Sequence, residues 1–148
     1  MIGGKTTILY GENSYERTMK LAQMKKDAEK SGFEIQKQEI DGLSKSDFVN
    51  LICGISFLAE KRFVYIRNLS ENSEIWQNLG EILLRISTDV HLCIIEDKID
   101  KRSTVYKSIS KIVELYEFKA IAAKDSKNLA EFARAFGKKL GLKIDNKT

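Results

Sequence analysis

Two short runs constrain the fold of this chain more than any other feature. Arg62-Phe63-Val64-Tyr65-Ile66-Arg67 and Val90-His91-Leu92-Cys93-Ile94-Ile95 are rich in β-branched and aromatic residues and apolar nearly throughout. They read as strands without the polar alternation of a sheet that faces water on one side. A strand that is apolar on both faces must be covered on both, and covered strands of this kind run parallel and are joined by helices. Between the two runs, Ile75, Trp76, Leu79, Ile82, Leu83 and Ile86 recur on one broad stripe, the strongest helical period in the chain. Strand, helix, strand is the implied unit.

The rest of the chain extends that unit. Thr6 to Tyr10 reads as a first strand, and Asn13 with Glu16 three residues later makes a capping-box pattern for a helix reaching about Lys30, where Ser31-Gly32 stops it. Phe33 to Ile40 is apolar only at 33, 35 and 40, which predicts an edge strand with one wet side. Asp41-Gly42 turns the chain, and Ser44 with Asp47 opens a short helix with Phe48, Leu51 and Ile52 inward. After the fourth strand come the charged loop Glu96 to Arg102, a helix with Val105, Ile109, Ile112 and Val113 inward, and a fifth strand, Leu115 to Phe118. A last helix opens at Asp125, carries Leu129, Phe132, Ala133, Phe136 and Leu140, and ends at Gly141. The expected class is α/β, a five-stranded parallel sheet with helices on both faces.

A chain of 148 residues has the length of one domain. Because Leu142 to Thr148 begins something it does not finish, the expected organisation is a domain over 1–141 and the start of a second over 142–148, within a longer protein. Apolar residues at 43% and charged ones at 31% exclude a disordered chain. No apolar run approaches the ~20 residues that span a bilayer, and Met1 to Lys5 lacks the apolar core of a signal peptide, so a cytoplasmic protein without a membrane partner is expected. Cys53 and Cys93 sit in apolar runs with no CxxC and one histidine in the chain, and read as small buried hydrophobes, not metal ligands. Residues 97–148 hold 13 Lys/Arg against 7 Asp/Glu, so the basic charge gathers in the C-terminal third. Such a third can face phosphate, or can simply be solvated helix surface.

In an open parallel sheet a ligand crevice lies at the carboxyl ends of the strands. A phosphate loop after strand one would need GxxxxGK[ST]. Here the loop is Gly11-Glu12-Asn13-Ser14, with one glycine, no lysine and a repelling carboxylate. Gly4-Lys5-Thr6 imitates the end of such a motif, but precedes the strand. Glu96 and Asp97 close strand four at the same edge, and a nucleotide-dependent enzyme would use them to hold a metal; position alone supports that reading. His91 lies at the opposite, entering end and reads as packed or solvated. No catalytic residue, metal or cofactor is assigned.

Phe57 and Leu58 are different. They fall in the connection between the short helix and strand three, where chains normally place polar residues. Either they tuck the helix end onto the sheet, or they form an exposed apolar plug for a partner's pocket.

Several stretches in order resemble the delta subunit of the bacterial DNA polymerase III clamp loader, in its N-terminal domain: Ile8-Leu9-Tyr10-Gly11-Glu12, Ser56-Phe57-Leu58-Ala59-Glu60-Lys61-Arg62-Phe63-Val64, Asp97-Lys98-Ile99-Asp100-Lys101-Arg102 with Lys107, and Gly141-Leu142-Lys143-Ile144-Asp145. The resemblance implies an AAA+-like (P-loop NTPase-type) fold without a functional phosphate loop, with sheet order 5-1-4-3-2. It also implies a non-catalytic domain that binds the beta sliding clamp and opens it with an apolar wedge. The wedge carries over to Phe57 and Leu58, with Ile55 and Ser56 as support; the family's usual order, Leu then Phe, is reversed here, and Cys53 stands near where a glutamine often precedes the pair. The family's other partners would be the gamma/tau and delta prime subunits, met through C-terminal domains, and DNA in the assembled complex. Lys98, Lys101, Arg102 and Lys107 are the candidates for DNA or subunit contact. A basic nucleic-acid-binding module is the remaining alternative.

Overall fold

The computed structural model describes residues 5–54 and 61–120, all but the last two of them within one compact unit, Met1–Phe118. The elements follow in the order β1 (Lys5–Tyr10), α1 (Ser14–Lys30), β2 (Glu34–Gln38), α2 (Lys45–Cys53), β3 (Arg62–Arg67), a 3-10 turn (Leu69–Glu71), α3 (Ser73–Gln77), α4 (Leu79–Leu83), β4 (Val90–Glu96), α5 (Thr104–Ile109) and β5 (Glu114–Glu117). The five strands form one sheet in the order β2-β3-β4-β1-β5, with every neighbouring pair parallel. This is the expected order read from its other edge, and β2 is at an edge as its pattern predicts. The helix expected from Asp125 and the tail after Gly141 lie outside the described residues.

Period-two alternation sorts the strand side chains onto two cores. Ile8, Val64, Ile66, Leu92 and Ile94 point to one face, where Phe48 and Ile52 of α2, Ile75 of α3, Leu79 and Ile82 of α4, and Ile109 of α5 cover them. Leu9, Phe63, Cys93 and Ile95 point to the other, under Leu21 and Ala28 of α1. The central strands are therefore apolar on both sides because each side carries a helix layer. Phe63, Ile66, Leu92 and Ile94 are essentially inaccessible, and each such side chain stabilises the fold by about 1.5–3 kcal/mol relative to exposure.

The helix starts are chemically explicit. Asn13 accepts from the Glu16 amide, the one half of the expected capping box that forms there. At α2 both halves form: Ser44 accepts from the Asp47 amide, and the Asp47 carboxylate accepts from the Ser44 amide. The long apolar stripe after residue 72 does not run as one helix. Asn78 Nδ2 donates to Glu74 O at 2.7 Å, occupying the carbonyl that the next helical amide would use, and α3 ends there before α4 begins. Ile112, expected inward, is 39% exposed because α5 stops at Ile109 and the chain turns before β5.

Candidate binding site at the amino edge of the sheet

A parallel sheet has two unlike ends, and each gathers residues from several strands. At the carboxyl end, the loop after β1 faces the segment after β5. Phe118 donates to Tyr10 O at 2.8 Å and accepts from the Asn13 amide at 3.0 Å, while the Gly11 amide donates to Asp97 O at 3.2 Å. Gly11 has φ +124°, and a Cβ added there would lie 2.1 Å from Phe118 O. Its glycine is thus required by backbone packed against backbone, not by a phosphate. The amides of Gly11, Asn13, Ser14 and Glu16 all donate within the protein.

The side chains at this end also turn inward. Arg17 is buried, and donates from Nη1 to Glu96 O at 3.1 Å and from Nη2 to Asp97 Oδ1 at 3.0 Å. Glu96 is 2% exposed; its carboxylate accepts from the Ser70 amide and, at 2.6 Å, from the Ser70 hydroxyl. Burial raises its pKa above the ordinary carboxylate value while those two bonds work against the rise. The two carboxylates at the end of β4 are therefore held by different partners, Glu96 inward by Ser70 and the exposed Asp97 by Arg17. Among the described residues no three His, Cys, Asp or Glu side chains gather into a metal-binding group.

At the amino end, α2 hands the chain to β3 through residues 55–60. Ile55, Ser56, Phe57 and Leu58, the four residues expected to meet a partner, lie outside the described residues. Their flanks are described in detail. An α-helix ends with unpaired carbonyls, and α2 has a separate donor for each of three: Gly54 N bonds Asn50 O at 3.1 Å, Arg62 Nη1 bonds Leu51 O at 2.8 Å, and Ser87 N bonds Ile52 O at 2.8 Å. Arg62 Nη2 reaches Gly54 O as well, at 3.3 Å. Gly54 leaves the helix in an extended conformation so tightly that a Cβ would stand 2.5 Å from Asn50 O.

Arg62 is 8% exposed, and among the described residues its charge meets carbonyl oxygens at the negative end of α2 instead of a carboxylate. Behind it, β3 is seated by Arg62 N to Asp89 O at 2.8 Å and by Glu34 N to Lys61 O at 2.9 Å. Cys53 is half-buried near the same helix end, with Sγ 3.7 Å from Ile82 O, and Cys93 is buried with its thiol pushed up to about 12 by desolvation. His91, also at this edge, is packed: it shares a 2.9 Å hydrogen bond with Thr7 Oγ1 and stands edge-on to Phe63. Burial, with Lys5 nearby, lowers its pKa to about 4.

The four basic candidates lie on or after the β4–α5 loop, at the carboxyl side. Lys98, Arg102 and Lys107 are exposed, and Lys101 is tied to Glu117 at 2.9 Å. Arg102 reaches Asp100 at 3.6 Å. No helix among the described residues is long and apolar enough to cross a membrane. The roles of Arg17 and Arg62 are not in the sequence-based site. Arg17 could have been found, because it falls in phase with Leu21, Met24 and Ala28 on the stripe of α1 that faces the sheet.

Among solved structures, the Bacillus subtilis DNA clamp loader delta protein (YqeN) is similar at 17% identity and a TM-score of 0.64, over 89% of this chain and 44% of that one. A DNA polymerase III gamma subunit-related protein from Thermotoga maritima is similar at 11% identity and a TM-score of 0.41, over 88% of this chain and 46% of that one. The chain thus spans less than half the length of these structures. No curated protein matches. The model for the DNA polymerase III delta subunit matches residues 8–121, and by that match over most of its length this chain belongs to the DNA polymerase III delta subunit family.

Proposed function

We propose that this chain is the clamp-binding domain of a clamp-loader delta subunit, which binds the beta sliding clamp and opens it for DNA replication with Phe57 and Leu58 as an apolar wedge. Ile55 and Ser56 support the pair from the helix side. Family membership supports the role, and one structural observation supports the location. The two ends of the segment that carries the pair are bound to each other through Arg62, on a helix end whose carbonyls are satisfied by three different donors. An apolar hot spot gains affinity from support of this kind, because little ordering remains to be done on binding.

The chemistry of the domain is recognition, not catalysis. The opposite edge, where a nucleotide would lie in this architecture, has its loop amides and Arg17 engaged internally. The gamma/tau and delta prime subunits would be met through parts of the protein beyond this domain. DNA in the assembled complex would meet the exposed cations Lys98, Arg102 and Lys107, with Lys101 released from Glu117; that contact would weaken steeply with added salt.

The test is binding of the chain to the sliding clamp of the same organism, with and without the Phe57→Ala, Leu58→Ala double substitution. Wild-type binding is expected, and the double variant should lose ~2–4 kcal/mol of affinity while keeping its thermal transition. Equal binding by a folded double variant would remove the wedge assignment.

A further inference from the structure

We infer that the part of the sheet beside α1, over β2 and β3, is a docking surface for single-stranded DNA, with Tyr65 and Phe33 as stacking platforms and Lys25, Lys61 and Arg67 as phosphate contacts. The inference goes beyond clamp binding and stands independently of it.

The two faces of the sheet are covered unequally. One carries α2, α3, α4 and α5, whereas α1 is the only described helix on the other, where it covers Leu9, Phe63, Cys93 and Ile95. One helix cannot cover five strands, so Phe33, Ile35 and Tyr65 stay half-buried on the side toward the β2 edge. Alternation puts Lys37 on the same face as Ile35 and Arg67 on the same face as Tyr65, and both cations are exposed.

Lys25 Nζ stands 4.8 Å from the centroid of the Tyr65 ring, and Lys61 Nζ 5.6 Å from that of Phe33. Among the described residues neither lysine has a carboxylate partner, nor does Arg67. The carboxylates at the margins are Glu39, already paired with Lys37 at 3.1 Å, and Glu29, one turn along α1 from Lys25. Lys25, Lys37, Lys61 and Arg67 outnumber them. The other flank of α1 is balanced: Lys20 lies over Tyr116 at 4.7 Å, but Asp27 and Glu114 line the same cavity, and Lys5 pairs with Glu114 at 3.2 Å.

An unbalanced row of cations attracts an anionic partner, and the rings narrow the choice. A sheet face with aromatic rings open to solvent is a platform for unpaired bases, and a basic track beside it follows the phosphates. A duplex keeps its bases stacked inside and could use the cations alone. From Lys61 to Arg67 the row follows β3 for about 20 Å, at ~3.3 Å per residue, which is room for several nucleotides. A lysine head over an exposed ring is weakly held, so a base can replace it there while the ammonium moves to the adjacent phosphate.

The experiment is fluorescence anisotropy of a labelled oligothymidine of about 20 nucleotides, longer than one small domain covers, titrated with the whole chain beside a duplex of equal length. Tighter binding of the single strand is expected. The Lys25→Gln, Lys61→Gln double variant should lose about tenfold in affinity and flatten the log–log salt slope by about 1.4, at ~0.7 per phosphate contact. Tyr65→Leu should also lose about tenfold, while Tyr65→Phe, which keeps the ring, should bind as wild type. Every variant is compared at an unchanged thermal transition. Lys20→Gln, on the balanced flank, should alter affinity less than about twofold. Equal or tighter binding of the duplex, unchanged affinity in the folded double variant, or Tyr65→Leu binding as Tyr65→Phe does would overturn the inference. So would losses confined to Lys98→Gln, Arg102→Gln, which would move the DNA contact to the β4–α5 loop. Tighter binding of polyglutamate than of oligothymidine would overturn it in favour of an acidic protein partner.

Discussion

The two ends of the sheet handle polar groups in opposite ways. At the carboxyl end, the polar groups around the loop after β1 are turned onto neighbours: Phe118 takes the Asn13 amide, Arg17 takes Glu96 O and Asp97, and Ser70 takes the Glu96 carboxylate. At the amino end, the hydrogen bonds converge instead on one helix terminus, where Arg62, Ser87 and Gly54 fix the point at which the chain departs. The first arrangement uses up the polar groups of the loop after β1, and the second anchors a helix terminus from several sides. The difference teaches that the two ends of one parallel sheet can be finished independently, and the proposed function draws on the second.

The comparison breaks most visibly at Gly11. Its φ of +124° and the 2.1 Å approach of a notional Cβ to Phe118 O mean that Gly11→Ala must displace backbone. A loss of about 3 kcal/mol or more is expected in a denaturant titration. The amino end should be untouched, so where the variant remains folded its clamp affinity should match wild type.

Strand β4 sharpens the comparison with a titratable group near each end. His91 has a folded-state pKa lowered to about 4 by burial, below its ordinary 6.5. The unfolded chain therefore takes up the proton first, and stability falls as pH drops from about 6.5 to about 4, by at most about 3 kcal/mol. Glu96 has its pKa raised above 4.5, again chiefly by burial. The folded form keeps its proton after the unfolded chain has lost it, so this contribution falls as pH rises from about 4.5 through the folded value. The two ends oppose each other. His91→Gln should leave a stability that declines with rising pH across that window, and Glu96→Gln one that declines with falling pH, as read from thermal midpoints.

The smallest effect is expected at Asn78. Asn78→Ala frees Glu74 O and favours joining α3 to α4, with a stability change within about 0.5 kcal/mol and a small rise in helical circular dichroism. Exchange at the Ser87 amide should not change. Loss of protection there would mean that the helix break positions the support beneath α2, and the contrast between the two ends would have to be redrawn.

Much of this was legible in the sequence, for physical reasons that differ by element. β3 and β4 are readable because burial on both faces leaves a continuous apolar run, and α2 because Ser44 and Asp47 carry both halves of its cap. The failed phosphate loop is readable in Gly11-Glu12-Asn13-Ser14, although what fills its place, the backbone of Phe118, comes from far along the chain and leaves no local mark. The break at Asn78 is hidden because a strong apolar stripe outweighs one competing carboxamide. Arg62 is hidden for a similar reason. A charged residue at the start of a strand resembles a solvated end, and only the fold shows that the end of α2 lies within its reach.

The seating of β3 has a mechanical consequence. A load applied between Gly54 and Lys61 enters the sheet along β3, which is flanked by β2 on one side and β4 on the other, in register from Arg62 with Val90 to Arg67 with Ile95. A pull along that axis meets the bonds of both ladders together, in shear, instead of opening them one at a time from an end. On the helix side the same pull is shared among Arg62, Ser87 and the turn closed by Gly54. A pull along β3 is thus opposed by two ladders within the sheet and by three bonds at the helix end.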